Sequence, residues 1–330
     1  MPVLPTRHPL VPIALLVLAA TVAILASISL GSAGPGPPAL WRGLAAGTDP
    51  LARALVFELR LPRTLSAFGT GALLALAGVA MQVLLRNPLA DPYVLGVSGG
   101  AAVTALGAML LGLGAVAVQA AAFAGALSAT LLVFALAQGP GGWIPARLLL
   151  TGVVIAAGTG ALISLLLAMG DATLLRGMVF WLMGDLAWAG SPLWLLLLTA
   201  LAVPLGVLAA RPLNVLARGD VQAQLLGVPV SRLRGALFVA ASLMTAATVT
   251  NVGAIGFVGL VTPHLVRLLL GSDHRRLVPA AALAGGTLVV VADLIARTAM
   301  APRQLPVGAL TAIVGVPLFL VLMRRARPAT

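Results

Sequence analysis

The chain has 330 residues, 61% of them hydrophobic and 8% charged, with a mean hydropathy of +1.12. A water-soluble domain cannot keep so little charge on its surface, so the composition specifies an integral membrane protein. The formal net charge of +12 comes entirely from arginine, because the chain has no lysine, and cysteine is also absent.

Those absences exclude several function classes. A P-loop places a lysine on the nucleotide phosphates, so this chain is not itself a P-loop ATPase. Without cysteine there are no disulfides, thiolate metal sites or thiol nucleophiles. No basic tail or aromatic-interleaved basic patch points to nucleic acid, and the arginines read as topology signals and specific contacts.

A helix needs about 20 apolar residues to cross the hydrocarbon core, and the apolar runs are too long and too poor in alternation for barrel strands. The fold expected is therefore an all-α membrane bundle, one transmembrane domain over residues 1–330. The first span runs from about Leu10 to Leu30, after Arg7 and His8. It exceeds the usual apolar core of a signal peptide, about 7 to 15 residues, and reads as a retained helix with a cleaved signal as the alternative. A connector over about 33–59, read with a later one over 171–190 as extracytoplasmic, is rich in Gly and Pro and carries Trp41.

The segment from Glu58 to Gly100 is the most informative. Pro62 sits where a helix begins, Thr64 to Leu85 has the length of a span, and Asn87-Pro88 with Asp91-Pro92 forces an irregular turn. Gly69, Gly71 and Gly78 are small residues that let neighbouring helices approach closely. Further spans are expected at about Tyr93 to Leu113, Ala115 to Ala137 and Leu148 to Met169, the last two joined by GPGGWIPAR. Residues 171–190, amphipathic and holding Trp181 and Trp188, read as lying along an interface. Spans at about Pro192 to Ala210, Gly235 to Val252, Ala254 to Leu270, Leu277 to Met300 and Val307 to Met323 bring the total to about ten.

Between two of these spans lies RPLNVLARGDVQAQLLGVPVSRLR, residues 211–234, an arginine-bearing island of short helices broken at Gly219 and Gly227. A direct return into the bilayer needs only a few turn residues, so this much helix-forming sequence reads as a docking surface; the plain alternative is a solvated loop. The positive-inside rule puts this island and both termini in the cytoplasm.

The motifs RLPRTLSAFGTGALLALAGVAMQVLLRNPLADPYVLGVSGGA, LARGDVQAQLLGV, GAIGFVGLVTPHLVRLLLGSDHRRLVP, ADLIART and QLPVGALTAIVGVP occur in this order across nearly the whole chain. Together they resemble the type II ABC importer permeases for iron-siderophores, haem and cobalamin. The resemblance implies ten helices and a homodimer with its pathway on the dimer axis in a bacterial inner membrane. Two separate ATPase subunits would dock from the cytoplasm and a periplasmic binding protein from outside. The chain itself is expected to hold no cofactor and to be no enzyme, with ATP and Mg on the partner ATPase. The ATPase contact maps onto Ala217, Arg218, Gly219, Asp220, Ala223, Leu225 and Gly227. A cytoplasmic gate maps onto Asn87, Pro88 and Leu89, with Pro145 and Ala146 standing where the family often carries small hydroxyl residues. Arg60, Arg63 and Arg297 match arginines that receive acidic residues of the binding protein, and an exposed arginine rim suits carboxylate docking. Snorkelling, or local pairing with Glu58 and Asp293, is the alternative.

Asp293 and Arg297 are spaced i, i+4 on one helical face and are expected to pair; an intramembrane carboxylate also raises a second function class, an ion-coupled transporter with Asp293 and Asp185 carrying the proton. His264, Asp273 and His274 lack recognised metal-ligand spacing, and no catalytic dyad or triad suggests itself. The cargo expected is an iron chelate, haem ahead of a ferric siderophore, with cobalamin as the alternative.

Overall fold

In a computed structural model, residues 10–32, 36–47, 49–139, 142–143 and 145–325 are described. Arg7, His8 and Arg327, and with them the expected side of both termini, lie outside these residues. The elements are α1 (Leu10–Ser29), α2 (Pro37–Ala46), α3 (Pro50–Ala54), α4 (Leu61–Leu84), α5 (Val97–Leu110), α6 (Ala115–Ala137), α7 (Pro145–Met169), α8 (Ala172–Leu182), α9 (Leu193–Leu208), α10 (Ala210–Leu216), α11 (Asp220–Leu225), α12 (Val230–Val252), α13 (Val258–Leu270), α14 (His274–Thr298) and α15 (Val307–Arg325). A wide-wound helical turn, Leu55–Arg60, joins α3 to α4. A two-residue antiparallel pairing of Gln138 with Trp143 and Gly139 with Gly142 precedes α7.

Every expected span coincides with a helix. Among the described residues six are long and apolar enough to cross a membrane: Val11–Ser29, Pro50–Leu84, Ala115–Ala137, Ala146–Met169, Val230–Val252 and His274–Thr298. Leu193–Leu208 and Ala210–Leu216, bent by 65° where they join, make a seventh if the pair is taken as one span. Helices α5 and α13, and the Val307–Val321 stretch of α15, are apolar but shorter. The segment expected to lie along an interface contains α8, capped where the Asp171 carboxylate accepts the Leu174 N–H at 2.8 Å and burying Met178.

Helix α4 is the centre of the bundle. Its apolar window is 94% buried, against 6% for α7 at the periphery. It packs on α14, α12, α13 and α9, and the two Gly-marked crossings explain why it can be surrounded so closely. A Cβ at Gly71 would run into the Gly285 carbonyl of α14, and one at Gly78 into the Gly259 carbonyl of α13. Lipid chains are as apolar as leucine, so close backbone contact, not water exclusion, holds such helices together. Replacing Gly71 by Val is therefore expected to push α4 off α14 and cost about 3 kcal/mol or more. A melting midpoint in detergent equal to the parent protein's would contradict that packing.

Candidate functional site

The 211–234 end is built from short pieces. After the bend that follows Leu208, α10 runs to Leu216, Gly219 takes a φ of 136°, α11 covers Asp220–Leu225, and Gly227 at φ 76° turns the chain into α12. Both glycines stand where a side chain would strain the backbone, so the expected breaks are where the helix breaks. The Gly227 N–H bonds the Gln224 carbonyl at 2.9 Å, and the Val228 N–H bonds that of Ala223 at 2.9 Å.

A six-residue helix has no stability of its own. Here it is fastened at two points. Ala223 is fully buried, and the Asp220 carboxylate accepts hydrogen bonds from Arg234 of α12 through both oxygens at 2.9 Å. Arg86, just after α4, approaches the same carboxylate at 3.9 Å. The outward face carries Val221, Leu225 and Leu226, exposed by 71, 82 and 70%.

Arg86 adopts φ 48°, a left-handed conformation that costs a non-glycine residue about 1–2 kcal/mol. It follows α4 and leads the chain into Asn87, Pro88 and Leu89, where the gate is expected. The Asn87 side chain accepts the Leu89 N–H at 2.9 Å, and all three residues are exposed. Burial pushes the Asp91 carboxyl, four residues on from Asn87, up to about 6. Pro145 is the first residue of α7, and Ala146 is exposed. A cavity of about 800 Å³ lies beside this turn, lined by Gln82, Arg86, Pro88, Asn214, Arg218 and Arg267 among others. It also brings together His264, Asp273 and His274, yet no group of three metal-ligating side chains is formed among the described residues. The convergence of these residues had no signal in their sequence spacing.

At the opposite end the structure corrects the expectation of an exposed arginine rim. Arg60 is 5% exposed and donates to the carbonyls of Ile28 and Ser29 at 3.0 and 2.9 Å. Arg297 is 5% exposed and donates to the Ser27 carbonyl and hydroxyl at 2.5 and 2.6 Å. Arg63 grips the fully buried Asp293, with Nε and Nη2 reaching Oδ1 at 2.9 and 2.7 Å, while its Nη1 donates to Gln304 at 2.9 Å. Arg297 Nε lies 3.3 Å from the other Asp293 oxygen, so the expected i, i+4 pair is present. Together they bind α1, α4 and α14 to one another. Glu58 is exposed and forms no ion pair among the described residues, and the exposed arginines at this end are Arg42, Arg53, Arg176 and Arg303. Asp185 caps a turn by accepting the Ala187 N–H at 2.8 Å, and burial raises its carboxyl above the usual range.

Comparison with known proteins agrees with this architecture. A model of the FecCD transport family matches residues 17–325. The chain is 44% identical over 282 residues to the cobalamin import system permease BtuC of Halobacterium salinarum, covering 84% of this chain and 75% of that one. It is 40% identical over 321 residues to the hemin transport system permease HmuU of Yersinia pestis, covering 92% and 94%. A solved metal-chelate type ABC transporter in an inward-facing conformation superposes with a TM-score of 0.82 at 30% identity, over 96% of this chain and 99% of that one. The chain belongs to the FecCD transport family and is an ABC importer permease.

Proposed function

We propose that the chain forms a homodimer in a bacterial inner membrane and carries an iron chelate, haem in first place, from periplasm to cytoplasm. Two ATPase subunits, holding ATP and Mg, would dock on the 211–234 island. The observation that carries this reading is α11: three large apolar side chains stand in water on a helix that is itself anchored through Asp220 and Ala223. Such a patch is costly unless a partner covers it, and its anchoring lets a pull on it reach α12 and the turn after α4. The gate would then be Asn87, Pro88 and Leu89 with Pro145 and Ala146, working against the second copy. Docking of a periplasmic binding protein falls to the opposite end, through the outward Arg42, Arg53, Arg176 and Arg303 and not the inward Arg60, Arg63 and Arg297.

Haem stands first because the hemin permease aligns over more of both chains than the cobalamin one does. Cobalamin remains the second reading on the strength of its relative's higher identity. Uptake into proteoliposomes containing the chain, its ATPase and its binding protein tests both. Accumulation of haem, dependent on ATP at the 211–234 face and on binding protein, is the expected result. Accumulation of cobalamin alone would replace the cargo, and uptake driven by a proton gradient without ATPase would overturn the importer reading.

A further inference from the structure

We propose that the cavity beside the 211–234 island is a binding site for a hydroxyl-bearing phosphate group, such as that of glycerol phosphate or the headgroup of phosphatidylglycerol. Four parts of the chain build it: the last turn of α4 with Gln82 and Arg86, α10 and its following turn with Asn214 and Arg218, α13 with His264 and Arg267, and the start of α14 with Asp273 and His274. Its volume of about 800 Å³ is that of a small-molecule site.

Charge selects an anion. Three guanidinium groups line the cavity with one carboxylate; Arg86 among them also approaches Asp220 at 3.9 Å, and the Asp273 Oδ1 accepts from the Asn214 amide at 2.8 Å and the Arg275 N–H at 3.1 Å. The Asn214 hydrogen bond, the largest influence, holds the Asp273 carboxyl below its usual range, so it stays ionised and in place. A metal cation would meet a net positive wall.

Unpartnered acceptors narrow the choice. The Asn214 amide can stand only one way round, because its oxygen accepts the His274 backbone N–H at 3.0 Å while its nitrogen donates to Asp273. The same oxygen lies 2.6 Å from His274 Nδ1, which must therefore carry the ring proton. That leaves Nε2 as a lone-pair acceptor on a ring only 2% exposed, and it has no partner. Gln82 repeats the pattern: its nitrogen donates to the Leu260 carbonyl at 3.2 Å, and its buried oxygen has no partner. Buried acceptors left unmet are costly, and both residues line the cavity, so the fitting occupant brings O–H donors that reach Gln82 and His274 on a small shift of their side chains, as well as negative charge for the arginines. Sulfate and chloride bring only the charge.

Two arms separate a soluble from a lipid source. In the first, the full chain in phosphatidylcholine nanodiscs is titrated calorimetrically with sn-glycerol 3-phosphate and, separately, with sulfate. In the second, nanodiscs containing phosphatidylglycerol are examined by native mass spectrometry for lipid retained on the chain. Saturable glycerol phosphate binding, at least about tenfold tighter than sulfate, supports the site as one for a soluble phosphate. Retained phosphatidylglycerol that blocks glycerol phosphate binding supports the lipid source. In either case Arg267→Gln should weaken binding about tenfold or more, and so should Arg218→Gln, whose exposed side chain is dispensable for folding. No saturable binding in both arms, sulfate binding as tightly as glycerol phosphate, or unchanged binding in both variants would overturn the proposal.

Discussion

Replacing Asp293 by Ala is expected to destabilise the protein by about 3–5 kcal/mol, the cost of leaving buried charge without its counter-ion. Asp293 is fully buried and meets Arg63 and Arg297 at 2.7 and 3.3 Å, so its loss strands two guanidinium groups at once. The expected readout is a lower melting midpoint in detergent and reduced yield of folded protein. A triple variant, Asp293→Asn with Arg63→Gln and Arg297→Gln, removes the charges together and should recover part of the loss. The same pair of variants separates the two function classes. If Asp293 carried a coupled proton, the triple variant would abolish a proton-driven uptake present in the parent. With Asp293 as a structural tie, no such uptake exists, and any variant that folds retains ATP-dependent transport. An Asp293→Ala protein as stable as its parent would sink the tie.

The second large effect is expected at Asp220. Asp220→Ala removes both oxygens that hold Arg234, along with the approach of Arg86, and so unfastens α11 from the bundle. Hydrogen bonds to charged groups contribute about 1.5–3 kcal/mol, and this carboxylate is partly solvated, so the lower part of that range applies. Loss of about 1.4 kcal/mol of coupling corresponds to about a tenfold fall in uptake. ATP hydrolysis by the docked partner should persist while uptake falls, because α11 can still be bound but a pull on it no longer reaches the bundle. Uptake and hydrolysis falling by the same factor would show that Asp220 serves assembly instead, and unchanged uptake would remove it from the coupling route.

Much of the fold was legible because bilayer length and small-residue spacing are local properties of the chain. Thr64 to Leu85 read as a span, and Asn87-Pro88 as its stop, since proline and the bilayer impose the same limits on any helix. Gly219 and Gly227 read correctly as breaks, and both take positive φ. Asp293 with Arg297 was legible as a pair because four residues make one turn. Arg63 entered only through the alternative of local pairing with Glu58 and Asp293, since it reaches that carboxylate across 230 residues of chain and no spacing singles it out. The arginine rim failed for a related reason. Position near a helix end gives depth in the membrane but not which side of the helix faces its neighbours, and Arg60 and Arg297 turn towards the end of α1. His264, Asn214, Asp273 and His274 meet only through the packing of α10, α13 and α14, and nothing in their spacing announces it.

The appression of α4 and α14 has a mechanical consequence. Helix α4, 24 residues and so about 36 Å long, runs from the Arg63 tie almost to Arg86, while α14 runs the other way from His274 to Arg297. Their backbones touch at Gly71 and Gly285, where any axial slip would drive a Cα into a carbonyl. The two helices thus form a single stiff strut, clamped by Asp293 at one face of the membrane and carrying Arg86 and His274 at the other. Such a strut offers a tilt imposed where Arg86 meets Asp220 a route to Arg63 that requires no helix to unwind.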